Sequence, residues 1–356
     1  MAIDQEEIAR VLSLSRSTVS RSLSGHPSIH PETRARVIAT ANDLGYRMRE
    51  HNRGRRAAPQ RVTTIGVLIA TVSFEHSPHP EAGQEMLAGL SDAAAARDTM
   101  LDTHFVNPEL AGHLADPAAR PPGWRNRHWR GAVLIYQHAP EVVAALAQEV
   151  PVVSLVHQYS APSLDCIDTD PAHGMELLVE RLLAAGHRRI GFLNRVYRGA
   201  QPSWIYARFS GFVQALAKQG QVFLPEAVVN VLPGARIPNE QLVDEVLRIR
   251  RQHGVTAFVC GADHQAFMLM RGLAERGVRV PDDISLTGFD GTPVPLGLAQ
   301  PATIRSPLRE MGVAAFRRLV NRIQDPGQPV RHIFHHGRVV EGSTIVAPSV
   351  IIGPAA

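Results

Sequence analysis

The sequence predicts an N-terminal all-α helix-turn-helix head followed by a two-lobed α/β core with parallel sheets. Three observations lead to this prediction. Two short helical patterns meet at a tight break around Ser13. From residue 62 onward, short apolar runs alternate with longer helical stretches, which is typical of parallel sheets flanked by helices. The apolar runs also recur at a nearly constant offset, which indicates two lobes of one design.

The second helical pattern of the head leaves a polar outer face. Ser15 is a suitable N-cap residue for this helix, and Val19 and Leu23 fall on the face that packs against the first helix. The outer face carries Arg16, Ser17, Ser20 and Arg21. In this motif the second helix enters the major groove of DNA, where an arginine bonds guanine in two places. A third helix that begins at Pro31 completes a head over residues 1–46.

Positive charge is concentrated at the N-terminus. Residues 1–61 contain 11 arginines against 6 acidic residues, whereas residues 62–356 contain 26 basic and 27 acidic residues. Such a distribution is expected of a segment that contacts phosphate. For residues 47–61 a solvated basic tail is the alternative.

Several classes of protein are excluded by what the sequence lacks. No run of 18 apolar residues predicts a membrane helix, and the acidic N-terminus does not resemble a secretory signal, so we expect a cytoplasmic, nucleoid-associated protein. Cys166 and Cys260 lack CxxC spacing and are expected to be free thiols. Because motifs for a phosphate loop, a nucleophile elbow or a zinc helix are missing, we expect no enzyme, no cofactor and no metal site.

The core repeats itself internally. The run at residues 65–69 recurs at 190–194, and the run at 132–135 recurs at 257–260, both 125 positions further on. The helical start at Gly89 recurs 122 positions later, at Gly211. A nearly constant offset over three elements predicts two similar lobes facing each other across a cleft, where the carboxyl ends of their strands bind ligands.

We assign the core domain to residues 62–356. Lobe 1 is predicted over about 62–160 plus 291–325, and lobe 2 over about 161–290 plus 326–356. The apolar helix that begins at Met311 and the helical stretch near residue 84 are candidate dimer surfaces, with packing inside the core as the alternative.

Several strings resemble the lac-repressor (LacI/GalR) family over essentially the whole chain. In the head they are residues 14–21 (LSRSTVSR) and 44–46 (LGY). In the core they are residues 188–192 (RRIGF), 281–290 (PDDISLTGFD) and 303–305 (TIR). The resemblance implies a periplasmic-binding-protein-like core and a homodimeric repressor that binds double-stranded operator DNA. A small-molecule effector, a sugar or related polar metabolite bound between the lobes, is implied as well.

The resemblance also assigns DNA-binding positions. Arg16, Ser17 and Arg21 match base-reading positions of the family. Positions closer to phosphates are Ser15, Thr18, Ser20, Ser28 and Thr33. In the linker at residues 47–61, Arg55 stands where the family inserts a leucine into the minor groove. We hypothesise that this linker contacts DNA through charge and kinks it less, since arginine is attracted to a narrow minor groove; a disordered tether is the alternative.

The candidate effector residues are polar, aromatic or charged. They are Ser73, Phe74, His76, Gln137, His157, Trp204, Arg208, Asp263 and Asp290. By resemblance, Arg208 matches the family's effector-binding arginine and Asp290 its acidic effector ligand. A structural ion pair between Arg208 and Asp290 is the alternative. A solute receptor without gene control would need an export signal and no reading head, so a regulator is the favoured function.

Overall fold

The computed structural model describes residues 5–23, 29–44, 63–71, 81–160, 162–197, 201–234 and 236–348. The chain separates into two units, Met1–Arg61 and Val62–Ala356, which are described in turn.

The N-terminal unit contains the three predicted helices: α1 (Gln5–Leu12), α2 (Arg16–Leu23) and α3 (Pro31–Asp43). They enclose a small core in which Ile8, Val19 and Val37 are fully buried. One residue from each helix therefore fills the centre, and the apolar periodicity of the sequence accounts for this packing.

The turn between α1 and α2 is closed by a left-handed residue. Ser13 has φ of +53°, and the amide of Leu14 bonds the carbonyl of Ala9 at 2.9 Å. Ser15 then caps α2, because its Oγ accepts a hydrogen bond from the Thr18 amide at 3.1 Å. The predicted N-cap is confirmed.

The second unit is an α/β structure. Its strands are β1 (Thr63–Ala70), β2 (Thr99–Val106), β3 (Trp129–Ile135), β4 (Val152–Leu155), β5 (Asp165–Thr169), β6 (Ile190–Leu193), β7 (Val228–Val229), β8 (Ala257–Cys260), β9 (Ser285–Thr287), β10 (Thr303–Arg305), β11 (His332–His335) and β12 (Arg338–Val340). Its helices are α4 (Glu81–Ala95), α5 (Pro108–Ala111), α6 (Pro122–Arg125), α7 (Pro140–Glu149), α8 (Pro171–Ala184), α9 (Ser203–Lys218), α10 (Leu242–His253), α11 (Asp263–Glu275) and α12 (Leu308–Gln324).

Two parallel sheets form the two predicted lobes. Within the described residues the first sheet has the order β11-β5-β4-β3-β1-β2, and the second has the order β7-β6-β8-β9. The inner strands are apolar without alternation and are buried on both faces, as parallel sheets covered by helices require. The internal repeat is confirmed, since β1 and β6 occupy equivalent places beside β3 and β8.

The predicted boundaries of the lobes are wrong in three places. They assign β5 and β11 to lobe 2, whereas β5 pairs with β4 and β11 pairs with β5 in the first sheet. They also assign β10 to lobe 1, whereas Ile304 of β10 packs in the hydrophobic cluster of lobe 2. The strands β5 and β11 are short and mix polar with apolar residues. The partner of β11 is also distant in sequence, since His332 pairs with Cys166, so local patterns do not reveal these pairings. Among the described residues, lobe 1 therefore comprises those within 63–169 and 306–335, and lobe 2 comprises those within 170–305 and 338–348.

Glycines allow pairs of helices to pack at backbone contact. A Cβ at Gly89 of α4 would lie 1.9 Å from the carbonyl oxygen of Arg309, and one at Gly312 of α12 would lie 2.1 Å from that of Met86. In lobe 2, a Cβ at Gly211 of α9 would lie 2.8 Å from the carbonyl oxygen of Pro171 in α8. The repeated glycines of the sequence therefore mark equivalent helix crossings. The apolar faces of α4 and α12 are packed inside the lobe 1 core.

Three segments cross between the lobes side by side. They follow β5, precede α12 and connect β11 to β12. Asp170 donates its amide to the carbonyl of His335 at 2.8 Å, and Ser306 donates its amide to the carbonyl of Asp290 at 3.1 Å. The first bond joins two of the crossing segments, and the second joins the crossing segment before α12 to the chain that follows β9. A change in the angle between the lobes must be absorbed in these segments.

Candidate functional site

The head presents a polar edge on α2. The side chains of Arg16, Ser17, Ser20 and Arg21 are exposed, whereas Val19 on the opposite face is fully buried. The hydroxyl of Ser15 lies 2.8 Å from those of both Ser17 and Thr18. An exposed row of guanidinium and hydroxyl groups on one helix has the chemistry that base edges and phosphates require.

The remaining predicted DNA positions are distributed differently. Thr33 is half-buried on α3. Ser28 and Arg55 lie outside the described residues. The hypothesis that the linker binds DNA through Arg55 therefore stays a prediction.

A cavity of about 770 Å³ lies in the second unit between the two lobes. Among its lining residues are Tyr136, Gln137, His138, His157, Arg195, Tyr197, Trp204, Arg236 and Asn239. Most of them directly follow strands, at the carboxyl ends of both sheets. The cavity therefore combines aromatic rings with hydrogen-bonding and cationic groups and is large enough for a small polar metabolite.

Three of the predicted effector residues line this cavity: Gln137, His157 and Trp204. His157 also connects the lobes, since its Nδ1 lies 3.2 Å from the Oγ of Ser203 at the start of α9. Burial lowers the pKa of His157 to about 4, so the imidazole is neutral at pH 7. Ser73, Phe74 and His76 lie outside the described residues.

Arg208 and Asp290 form an ion pair. An Nη of Arg208 donates to Asp290 Oδ1 at 2.7 Å, and the other donates to the carbonyl of Gly261 at 2.7 Å. The guanidinium lies between the rings of Trp204 and Phe289, with its carbon 4.6 and 3.9 Å from their centres. Neither partner of the ion pair belongs to the cavity lining. The ion pair between Arg208 and Asp290, which was the alternative to direct effector binding, is therefore present.

Asp263 is also occupied by contacts within the protein. Its Oδ1 accepts a hydrogen bond from the hydroxyl of Thr303 at 2.6 Å, and its Oδ2 accepts one from the amide of Thr292 at 2.7 Å. The side chain is fully buried, and burial raises its pKa to about 7. Asp263 lies outside the cavity lining and anchors the segment that leaves β9. The prediction that it contacts the effector is not supported by this geometry.

Sequence reasoning left Tyr197, Arg236 and Asn239 out of the candidate site. Asn239 bonds the backbone of Val196 with both ends of its amide, at 2.9 and 3.0 Å, and so holds the chain that follows β6 against the loop before α10. These residues lie in long loops, so no periodic pattern marked them. The sequence indicates them only through their position, because they follow β6 and β7.

Asp168, at the end of β5, is a further buried polar group that sequence reasoning missed. Its Oδ1 accepts a hydrogen bond from the amide of Thr169 at 2.7 Å. Burial raises its pKa to about 7, and the nearby Arg208 guanidinium opposes that rise. Recognition of β5 as a lobe 1 strand would have placed Asp168 at a carboxyl end and made it a candidate.

Sequence comparisons match both parts of the chain to known families. Residues 6–48 match the profile described as bacterial regulatory proteins, lacI family, and residues 179–345 match a periplasmic binding protein-like domain. The regulator AglR of Rhizobium meliloti is 28% identical over 98% of this chain and 96% of its own length. Catabolite control protein A of Priestia megaterium is 25% identical over 88% of this chain and 90% of its own length.

Solved structures share the fold. A complex of the transcriptional regulator CelR with cellobiose superposes with a TM-score of 0.63 at 21% identity, over 96% of this chain and 99% of that one. The lac repressor dimer bound to operator and the anti-inducer ONPF gives a TM-score of 0.62 at 20% identity, over 98% of this chain and all of that one.

Among the described residues, no helix is both long and apolar enough to cross a membrane. The matched regions coincide with features of the structure. The exposed edge of α2 lies within the matched lacI region, and most of lobe 2 lies within the matched binding-protein region. The chain belongs to the lacI family of bacterial regulatory proteins, with a helix-turn-helix head and a periplasmic-binding-protein-like core.

Proposed function

We propose that the protein is a homodimeric, sequence-specific transcriptional repressor whose operator affinity is controlled by a small polar metabolite, a sugar or a relative of one, bound in the interlobe cavity. The exposed row of Arg16, Ser17, Ser20 and Arg21 on α2 is the observation that carries the DNA-binding part. The aromatic and polar cavity carries the effector part.

The head supports binding in the major groove. Buried residues from all three helices pack together and hold α2 in place. The polar edge of α2 is therefore presented on a rigid frame. Arginine pairs with guanine O6 and N7 through two hydrogen bonds, which discriminates against other bases by about 1–3 kcal/mol. A dimer would present two such helices to half-sites about one helical turn apart, and one relative in structure is a dimer bound to operator.

The cavity supports control by a metabolite. Relatives of the same fold were solved with cellobiose and with ribose bound. In this chain, Trp204 and Tyr197 offer rings for stacking, and Gln137 offers an amide. Because the cavity is lined from both lobes, a ligand that contacts both of them favours one lobe arrangement over another. Differential affinity for two arrangements is what an effector needs to change operator affinity.

The chain's thiols give no support to a catalytic role. Both cysteines are buried, and burial raises the pKa of Cys166 to about 12 and that of Cys260 as well, so neither thiol ionises readily at neutral pH. Several relatives of the chain are named HTH-type transcriptional regulators. We therefore include in the proposal that the protein has no enzymatic activity and acts in the cytoplasm at the nucleoid.

A DNA-binding assay tests the proposal. Full-length protein is titrated onto the DNA upstream of its own gene, with and without a panel of sugars. Arg21→Ala should weaken binding about 5- to 150-fold, the equivalent of about 1–3 kcal/mol, because a base-reading guanidinium is lost. Arg251→Ala removes an equal charge from an exposed position on α10 of the core. It is the matched control and should leave the affinity for DNA unchanged. Equal affinities of the parent and Arg21→Ala would exclude α2 as the reading helix.

A further inference from the structure

The walls of the interlobe cavity carry positive charge. Two lining residues are arginines, Arg195 and Arg236, and the lining among described residues contains no Asp or Glu. Guanidinium groups remain protonated at physiological pH. The lining imidazoles contribute no charge, because burial lowers the pKa of His138 and His157 to about 4.

The described carboxylates behind the wall offset only part of this charge. Asp290 is paired with the buried Arg208 at 2.7 Å. Burial raises the pKa of both Asp168 and Asp263 to about 7, so each of these groups is protonated part of the time at neutral pH. Among the described residues, the positive charge of the two lining arginines is therefore only partly offset.

Both arginines follow strands of the lobe 2 sheet, at the carboxyl ends where parallel sheets bind ligands. Arg195 follows β6 at the carboxyl end of the strand, and Arg236 lies in the loop that follows β7. The guanidinium carbon of Arg195 lies 5.5 Å from the ring centre of Tyr197, so the ring orients it. Arg236 donates to the carbonyl of Asn230, and it forms no ion pair with any carboxylate of the described residues.

The neutral part of the cavity suits a hydroxylated ring. Trp204 lines the cavity, and the guanidinium carbon of Arg208 lies over its indole at 4.6 Å from the ring centre. Tyr197 meets that indole edge to face, at 5.8 Å and 85°. Gln137 supplies both a donor and an acceptor for hydroxyl groups.

We propose that the effector is an anionic polyhydroxylated molecule, a phosphorylated sugar or a sugar acid, whose charged group is bound by Arg195 and Arg236. The inference rests on the proposed function, because it takes the cavity to be the effector site. Guanidinium groups bind phosphate and carboxylate with two parallel hydrogen bonds, which favours the anion over its neutral parent.

Calorimetric titration of the full chain tests this proposal. The probes are matched sets built on glucose, ribose and fructose, each comprising the neutral sugar, its monophosphate and a derived sugar acid. At least one anion should bind with a Kd at least about tenfold below that of its neutral parent, and added salt should reduce the difference. Comparison of phosphate with carboxylate within a set identifies which anion the arginines select.

Two double variants locate the charge that causes the preference. Arg195→Gln combined with Arg236→Gln should remove the preference for the anion. Arg251→Gln combined with Arg271→Gln makes the same change of charge at exposed positions on lobe 2 helices and should retain it. Binding of a neutral sugar at least as tightly as its anions, binding of no anion, or an undiminished preference in the first double variant would each overturn the proposal.

Operator binding separates this inference from the proposed function. If a neutral sugar changes operator affinity and no anion does, the protein is an effector-controlled regulator and the anionic assignment is wrong. If an anion binds through the two arginines and operator affinity does not respond, the anionic assignment holds and the proposed regulatory function fails.

Discussion

Replacing Asp290 with Asn tests whether the ion pair with Arg208 stabilises the core or binds the effector. Arg208 is 4% exposed, and its bond to the Gly261 carbonyl and its stacking between two rings would hold the guanidinium in place after the carboxylate is lost. The variant therefore retains a buried cation without its counter-charge. Asn keeps the size of the side chain and tolerates the positive φ of this residue better than most.

The expected loss follows from the exposure of the pair. Removing one partner of a fully buried pair costs about 3–5 kcal/mol, whereas exposed pairs contribute about 0–1 kcal/mol. The Asp290 side chain is 27% exposed, so water screens part of the interaction. We expect Asp290→Asn to lower the free energy of unfolding by about 2–3 kcal/mol.

Urea denaturation of the full chain, monitored for the core transition, measures this loss. Glu341→Gln is the control, because the Arg181–Glu341 pair has the same 2.7 Å separation but Glu341 is 75% exposed. That variant should lose less than about 1 kcal/mol. An Asp290→Asn variant with the parent's stability and no effector binding would refute the reasoning, since Asp290 would then act on the ligand directly.

Three further predictions concern packing, the turn in the head and pH. Gly312→Ala should destabilise the core by at least about 2 kcal/mol in urea denaturation, since its Cβ would meet the Met86 carbonyl. Gly327→Ala should not, because its Cβ would make only an ordinary contact of 3.6 Å with the Asp325 carboxylate; equal stabilities would contradict the helix crossing. Ser13→Gly should stabilise the head by about 0.5–1 kcal/mol, because the φ of +53° is unfavourable for a residue with a Cβ atom. The gain should appear as slower amide exchange in α1 and α2, and faster exchange would argue against that turn. Burial raises the pKa of Asp168 from 3.8 to about 7, so the stability linked to its protonation is complete below pH 3.8 and is lost as pH rises through about 7. The melting temperature of Asp168→Asn should therefore rise relative to the parent between pH 5 and pH 8, and a constant difference would contradict the raised pKa.

Local patterns predicted the head well because its structure is local. The cap at Ser15 and the apolar positions Ile8 and Val19 lie within one or two helical turns of each other, so sequence spacing determines which side chains meet. The exposed polar edge of α2 is predicted by the same spacing, since the polar residues of a short amphipathic helix face outward.

The lobes and the cavity were predicted only in part because their contacts are distant in sequence. The pairing of β11 with β5 joins residues more than 160 positions apart, and neither strand has a strong apolar run. Position after a strand selected Gln137 and His157, which line the cavity. The same rule and family resemblance selected Arg208 and Asp263, whose bonding capacity is used within the protein, because a sequence does not show which polar group has already found a partner.

The central claim, that a ligand in the interlobe cavity controls operator binding, is tested most directly by measuring operator Kd with and without a saturating cavity ligand. Couplings of about 1–3 kcal/mol predict a change in operator Kd of about 5- to 150-fold, and operator DNA must change the ligand's Kd by the same factor. That reciprocal change is the predicted result. An operator Kd that is identical at zero and saturating ligand would contradict the account.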